Sequence, residues 1–205
     1  MDLWIQIENI FKASERRVKI LEGDAECGLS EAAQINASLD SAFAAVMINT
    51  NGIVIDNWIN ILGQSSPKHA GIIDFSSRLS LDLGKMMAVA TDVVGGVFAI
   101  NVGRFEEDLG SVWYFAPDTL SWESLGFRYS EFLAWTAQGN LEDFYQSFRW
   151  KDWEKDVSEI DGFNDGMLIY PYLWAKECNI ETASKKVVPL KEIIGTNLEF
   201  AKKFG

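Results

Sequence analysis

The stretch "GSVWYFAPDTLSWESL", residues 110 to 125, places Trp113, Tyr114, Phe115 and Trp122 around a single Pro-Asp turn. Two β-rich runs joined through turn residues read as a hairpin. Alternate residues of a strand face opposite sides, so Trp113 and Phe115 share one face and Val112 and Tyr114 the other. A two-residue loop sets Trp113 opposite Trp122, and a four-residue loop sets Phe115 there; both keep Trp122 on the face of Trp113 and Phe115. Those three rings are assigned to the core, each burying on the order of 150 to 250 Å². The other face carries Tyr114, Ser121 and Glu123, a half-polar set expected to lie near solvent or a partner.

Upstream, "MMAVATDV" and "GGVFAINV" are further β-rich runs, punctuated by Gly95-Gly96 and by the acidic loop "GRFEEDLG", and with "SVWYFA" they read as antiparallel neighbours. "GIVIDNWINILG" reads as one or two short strands around Asp56-Asn57, and "GQSSPKHAG" as a loop. Trp4, Ile7, Ile10 and Phe11 recur at helical spacing, "LEGDAECGLS" supplies turn residues, and Ser38 is positioned to cap a helix through "LDSAFAAVMIN" that ends at Asn51-Gly52. Downstream, Ser130 is expected to cap a helix "EFLAWTAQ" closed by Gly139, and Asn140 with Asp143 resembles a capping box for the next. In "RWKDWEKDVSEI", Trp150, Trp153, Val157 and Ile160 fall at spacings of three and four, which predicts a third helix. "GMLIYPYLWAKE" suggests an edge strand, and Pro189 fits the first position of a last helix, "PLKEIIGTNLEFAKKF".

The 205 residues suit a single domain, 1–205. With 18 Lys+Arg against 30 Asp+Glu, the formal net charge of -12 repels nucleic acid and favours a basic partner. Cys27 and Cys178 are the only cysteines, too few for a disulfide framework, which suits a reducing, cytoplasmic setting. The N-terminal stretch lacks the basic start and apolar core of a secretory signal. No apolar run reaches the roughly 18 residues of a membrane span, so no membrane association is expected.

Several groupings bear on chemistry. Ser65, Ser66, His69 and Asp74 suggest a hydrolytic triad, but no Gly-x-Ser-x-Gly elbow is present, and a mobile polar loop is the plainer reading. Glu106, Glu107 and Asp108 offer a proton donor, a base or a cation site, yet lack the regular spacing of a metal loop, and adjacent carboxylates between glycines are more often solvated. No phosphate-binding or dinucleotide motif occurs, so no cofactor or metal is expected. Eight tryptophans leave room for a sugar-stacking platform.

Phe98-Ala99, Gly103 to Gly110, Val112 to Phe115, Asp118-Thr119, Trp122-Glu123, and Ser130 with Phe132-Leu133 together resemble the signature of the SUKH superfamily. That resemblance implies an α+β fold with a central, mostly antiparallel sheet and packed helices, its core over roughly 38–139 and a C-terminal helical and strand elaboration over 140–205. It implies no common enzymatic activity. Many bacterial members are immunity proteins that neutralise a toxin domain, often a nuclease, by binding it. Over nearly its whole length the chain is also similar to a bacterial family of uncharacterised proteins. The expectation is a non-enzymatic protein-binding domain, with Tyr114, Glu123, Glu107 and Asp108 as partner residues. A hydrolase using the Ser65–Asp74 loop or the 106–108 carboxylates, and a sugar-binding protein, are the alternatives.

Overall fold

Seven strands lie side by side in the order in which they occur along the chain, every neighbouring pair antiparallel, in a computed structural model that describes residues 2–204. In sequence the elements are α1 (Leu3–Lys12), β1 (Val18–Glu22), α2 (Ala25–Gln34), α3 (Ala42–Asn49), β2 (Thr50–Ile55), β3 (Ile59–Leu62), α4 (Phe75–Leu79), β4 (Met86–Asp92), β5 (Val97–Asn101), β6 (Val112–Ala116) and β7 (Ser121–Phe127). There follow α5 (Tyr129–Gln138), α6 (Leu141–Phe144), α7 (Trp153–Asp156), β8 (Asp165–Tyr170), β9 (Ser184–Pro189) and α8 (Leu190–Phe204). Strands β8 and β9 form a separate two-stranded sheet. The fold is α+β, with helices against an antiparallel sheet.

The hairpin closes through the four-residue loop 117–120: Phe115 pairs with Trp122 and Ala116 with Ser121. Trp113 and Phe115 are buried in one hydrophobic cluster, against which Trp122 packs half-buried. This cluster takes Ala32 of α2 and Leu190 and Ile194 of α8 onto the same face of the sheet. Trp122 sits on the last strand of the sheet, so its ring covers the core without being enclosed by it. Trp122→Ala is therefore expected to cost about 1 to 2 kcal/mol, less than a fully buried ring does. Chemical denaturation of that variant beside Phe115→Ala checks this, and equal losses would show that Trp122 is enclosed in solution.

The second face differs from the half-polar surface expected of it. Val112, Tyr114 and Ala116 belong to a larger cluster built with Ile7 and Phe11 of α1, Val46 of α3, Phe132 and Leu133 of α5, and Tyr145, Trp150 and Val157 beyond it. Every residue of β6 is buried, so the strand lies in the middle of three layers. Only at β7 does the polar pattern survive, where Ser121, Glu123 and Ser124 are exposed.

Several boundaries depart from the sequence reading: Asn51-Gly52, expected to end the helix, lies inside β2, and α2 runs through the expected turn after Asp24. Ser38 starts a turn whose carbonyl accepts from Ser41, and Ser41 caps α3. At α5, Arg128 is the capping residue, its N–H donating to the Glu131 carboxylate. Residues 149–160 make only the single turn α7, yet Trp150 and Val157 are buried as the spacing required. The Trp150 indole donates to Asp156 at 2.7 Å, which holds the ring inward without a continuous helix. Pro189 ends β9, and α8 begins one residue later. Among the described residues no helix is long and apolar enough to cross a membrane, and both cysteines are free.

Candidate functional site

The acidic loop between β5 and β6 is organised by one buried side chain. Asn101 has no solvent exposure. Its Oδ1 accepts from the N–H groups of Gly103, Arg104 and Phe105, and its Nδ2 donates to the carbonyls of Phe105 and Glu107, both at 2.9 Å. An amide satisfied in this way fixes the loop from within. The carboxylates of Glu106, Glu107 and Asp108 are all exposed, as is Leu109.

Two further bonds fasten the loop to the end of the sheet. Ser124 Oγ of β7 donates to Asp108 Oδ2, and Arg128 Nη1 donates to the Leu109 carbonyl at 2.8 Å. Strand β7 has a neighbour on one side only. Asp108 thus lies against β7, which carries Glu123, an acceptor from Thr119 Oγ1, and the loop also exposes Glu106, Glu107 and Leu109. Arg104, the cation of this loop, lies with its guanidinium over Phe105 and over Trp122 of β7 and donates to the Leu83 carbonyl. Arg104 and Arg128 thus stand at this end of the sheet beside the carboxylates.

Of the four expected partner residues, Glu107, Asp108 and Glu123 lie at this edge and Tyr114 does not. Tyr114 is 2 % exposed, and its hydroxyl donates to Asp92 Oδ2 at 2.7 Å. Helix α5 and the segment after it cover that face, and their contribution was not visible from the hairpin alone. No partner can touch Tyr114 in this fold.

Asp92, read from sequence only as a strand residue, is the centre of a buried polar cluster. Its Oδ1 accepts from the N–H groups of Val94 (3.1 Å) and Gly96 (2.8 Å), and its Oδ2 accepts from Tyr114 and, at 3.2 Å, from Tyr145. Gly96 permits this approach, because a Cβ there would fall 2.2 Å from Asp92 Oδ2. Burial pushes the carboxyl above its ordinary range, opposed by these four hydrogen bonds. Burial first, and then the Asp92 charge, pushes the hydroxyls of Tyr114 and Tyr145 well up.

The Ser65–Asp74 segment is ordered by its own bonds, and the expectation of a mobile loop is corrected. Ser65 N–H donates to the Glu31 carboxylate, Ser65 Oγ donates to Asp74 Oδ1 at 2.8 Å, and Arg78 donates to the carbonyls of Ser66, Pro67 and His69. His69 is buried, stacked on Phe163, and bonded through Nε2 to the Asn51 carbonyl at 2.8 Å. Since a carbonyl only accepts, the Nε2 N–H is the donor. Serine and histidine thus have separate partners, and no relay from Ser65 through His69 to Asp74 is assembled. Among the described residues no group of three His, Cys, Asp or Glu side chains converges on a cation position. All eight tryptophans are buried or half-buried, and Arg104 already occupies the outer side of Trp122.

The signature of the family described as "Protein of unknown function DUF2625" matches residues 2–193. The chain is 33% identical over 192 residues to the uncharacterised protein YbfG of Escherichia coli (strain K12), covering 93% of this chain and 88% of that protein. It is 33% identical over 165 residues to an uncharacterised protein of Haemophilus influenzae, covering 78% and 72% of the two chains. No solved structure matches the chain.

Proposed function

We propose that this chain, which belongs to the DUF2625 family of proteins of unknown function, works without catalysis as a cytoplasmic binder of a basic protein, of the immunity type that the SUKH resemblance implies. The observation that carries the reading is the pre-ordered acidic loop fastened to an unpaired sheet edge. Exposed edge strands are templates for strand addition, and natural proteins blunt or cover them. Here β7 carries Glu123 and is tied through Ser124 to Asp108, in a loop that also exposes Glu106 and Glu107. An extended segment of the partner adds alongside β7, with its lysines or arginines against these carboxylates. A toxin nuclease, which must carry positive charge to hold nucleic acid, has the complementary chemistry.

Charge of this kind acts mainly on the rate of encounter, while contact at Leu109 and along the strand sets the lifetime. Glu106→Lys with Glu107→Lys leaves the Asp108 to Ser124 tie intact. It is expected to slow association with the partner, once captured from the native organism and purified, by about tenfold or more at low salt. Raising the salt should slow the unmodified protein towards the variant. Amide hydrogen exchange should slow along β7 in the complex. An acidic partner, or association indifferent to both salt and these substitutions, overturns the proposal.

A further inference from the structure

A cleft of about 420 Å³ lies between the β6 to β7 hairpin and the last turns of α8, on the face of the sheet that α8 covers. Leu198, Ala201 and Lys202 follow one another at helical spacing, so one face of α8 supplies one wall. Phe105, Leu120 and Trp122, all half-buried, supply the other. Arg104 and Lys202 are exposed, so an incoming molecule reaches the charged groups of the lining directly.

Two observations single this cleft out. The first is the state of Arg104. Arg16, Arg17, Arg78 and Arg149 each pair with a carboxylate, in a chain with 30 acidic residues, but among the described residues Arg104 pairs with none. Its guanidinium is nevertheless placed. It lies 5.6 Å from the centre of Phe105 and 6.0 Å from that of Trp122, Nη1 donates to the Leu83 carbonyl at 3.2 Å, and Phe105 is itself stacked on the buried Trp113 at 4.2 Å. Gly84 makes room for it, since a Cβ there would fall 2.7 Å from Nη1. A guanidinium positioned by rings and one carbonyl keeps most of its donors for a planar anion. The acid on the wall, Asp82, bonds to Lys202 Nζ at 3.2 Å, so two cations share one carboxylate.

The second observation is the backbone of Leu120. It closes the 117–120 loop at φ 54°, a left-handed conformation that favours glycine or asparagine and strains leucine. What leucine adds there is a side chain on the cleft wall. Strain of this kind gathers at ligand sites, where a purpose other than local stability retains it.

We infer that this cleft binds a small monocarboxylic acid with an apolar body, aryl or short acyl. The guanidinium edge of Arg104 takes the carboxylate, Lys202 adds a second donor, and the body lies against Leu120, Leu198 and Ala201. Glu106, Glu107 and Asp108 follow Arg104 on the same loop, and the chain carries a net charge of -12, so a polyanion such as a nucleotide is disfavoured against a single carboxylate.

Titration calorimetry with phenylacetate and hexanoate, each beside its uncharged amide, tests this. At least one acid should bind the unmodified protein, and at least tenfold tighter than its own amide. Arg104→Gln should lower that affinity tenfold or more, and Ala201→Phe, which fills the cleft from the helix side, should abolish it. Arg104 is exposed and Ala201 half-buried, so both variants should melt within about 3 °C of the parent. If Arg104→Gln melts well below the parent, the guanidinium serves the fold and the inference fails. It fails also if neither acid binds, if each amide binds as well as its acid, or if binding ignores Arg104→Gln. The comparison of acid with amide uses the unmodified protein alone, so a poorly folded Ala201→Phe still leaves the proposal open to refutation.

Discussion

Replacing Asp92 by alanine is expected to cost about 4 to 5 kcal/mol, enough to leave much of the protein unfolded given that whole domains are stable by roughly 5 to 15 kcal/mol. The change strands four donors at once. Two are the backbone N–H groups of Val94 and Gly96, which shape the turn between β4 and β5, and two are the hydroxyls of Tyr114 and Tyr145. Each is enclosed, so water cannot replace the carboxylate. Urea unfolding followed by circular dichroism gives the loss directly, and a loss below about 1 kcal/mol would show that the cluster is not the structural centre described.

The same carboxyl makes a prediction about pH. Its folded-state pKa lies above the value of an unfolded aspartate, near 3.9, because burial penalises the charge. Between those two values the folded protein holds more protons than the unfolded chain, so stability falls as pH rises through that window and levels off above it. Burial sets this window, and the hydrogen bonds from Tyr114, Gly96, Val94 and Tyr145 narrow it. Asp92→Asn stays neutral, and the tyrosine hydroxyls can turn to accept from its amide. That variant is expected to lose this contribution to the slope, which a urea series from low to neutral pH would measure.

Much of the sheet is written locally. Alternation in "SVWYFA" places Trp113 and Phe115 together and Tyr114 opposite, and the structure keeps that division. What alternation cannot tell is what lies above each face. The cover on Tyr114 comes from α5 and residues 141–157, whose helical pattern is interrupted and whose rings reach inward from turns. Gly23, Asp24 and Gly28 give residues 21–30 the look of a turn, and they hide the end of β1 and the start of α2. Glu107, Asp108 and Glu123 were readable as surface carboxylates from composition. Asp92 was not, since one polar residue in an apolar strand carries no mark of whether it will be paired. Only the packed chain decides that.

Trp58→Ala is expected to cost about 4 kcal/mol, by a different route. Asp56 and Asn57 turn the β2 to β3 connection with positive φ and deliver the Trp58 ring to the core, where it has no solvent exposure. The edges of Tyr145, Trp150 and Trp153 meet it at centroid separations of 5.4, 6.0 and 5.1 Å, and the Arg149 guanidinium lies 5.1 Å from its centre. These neighbours come from the segment that fails to form a helix, so Trp58 is the anchor on which that segment settles. Removing the ring leaves a large cavity and takes one of three aromatic faces from a guanidinium that is almost fully buried. Trp58→Phe keeps an aromatic face and most of the apolar area, and should cost only about 1 to 2 kcal/mol. If residues 145–160 depend on this anchor, amide exchange in Trp58→Ala should accelerate there before it does in β4 to β6. Uniform acceleration across the sheet would show instead that the segment and the sheet unfold as one unit.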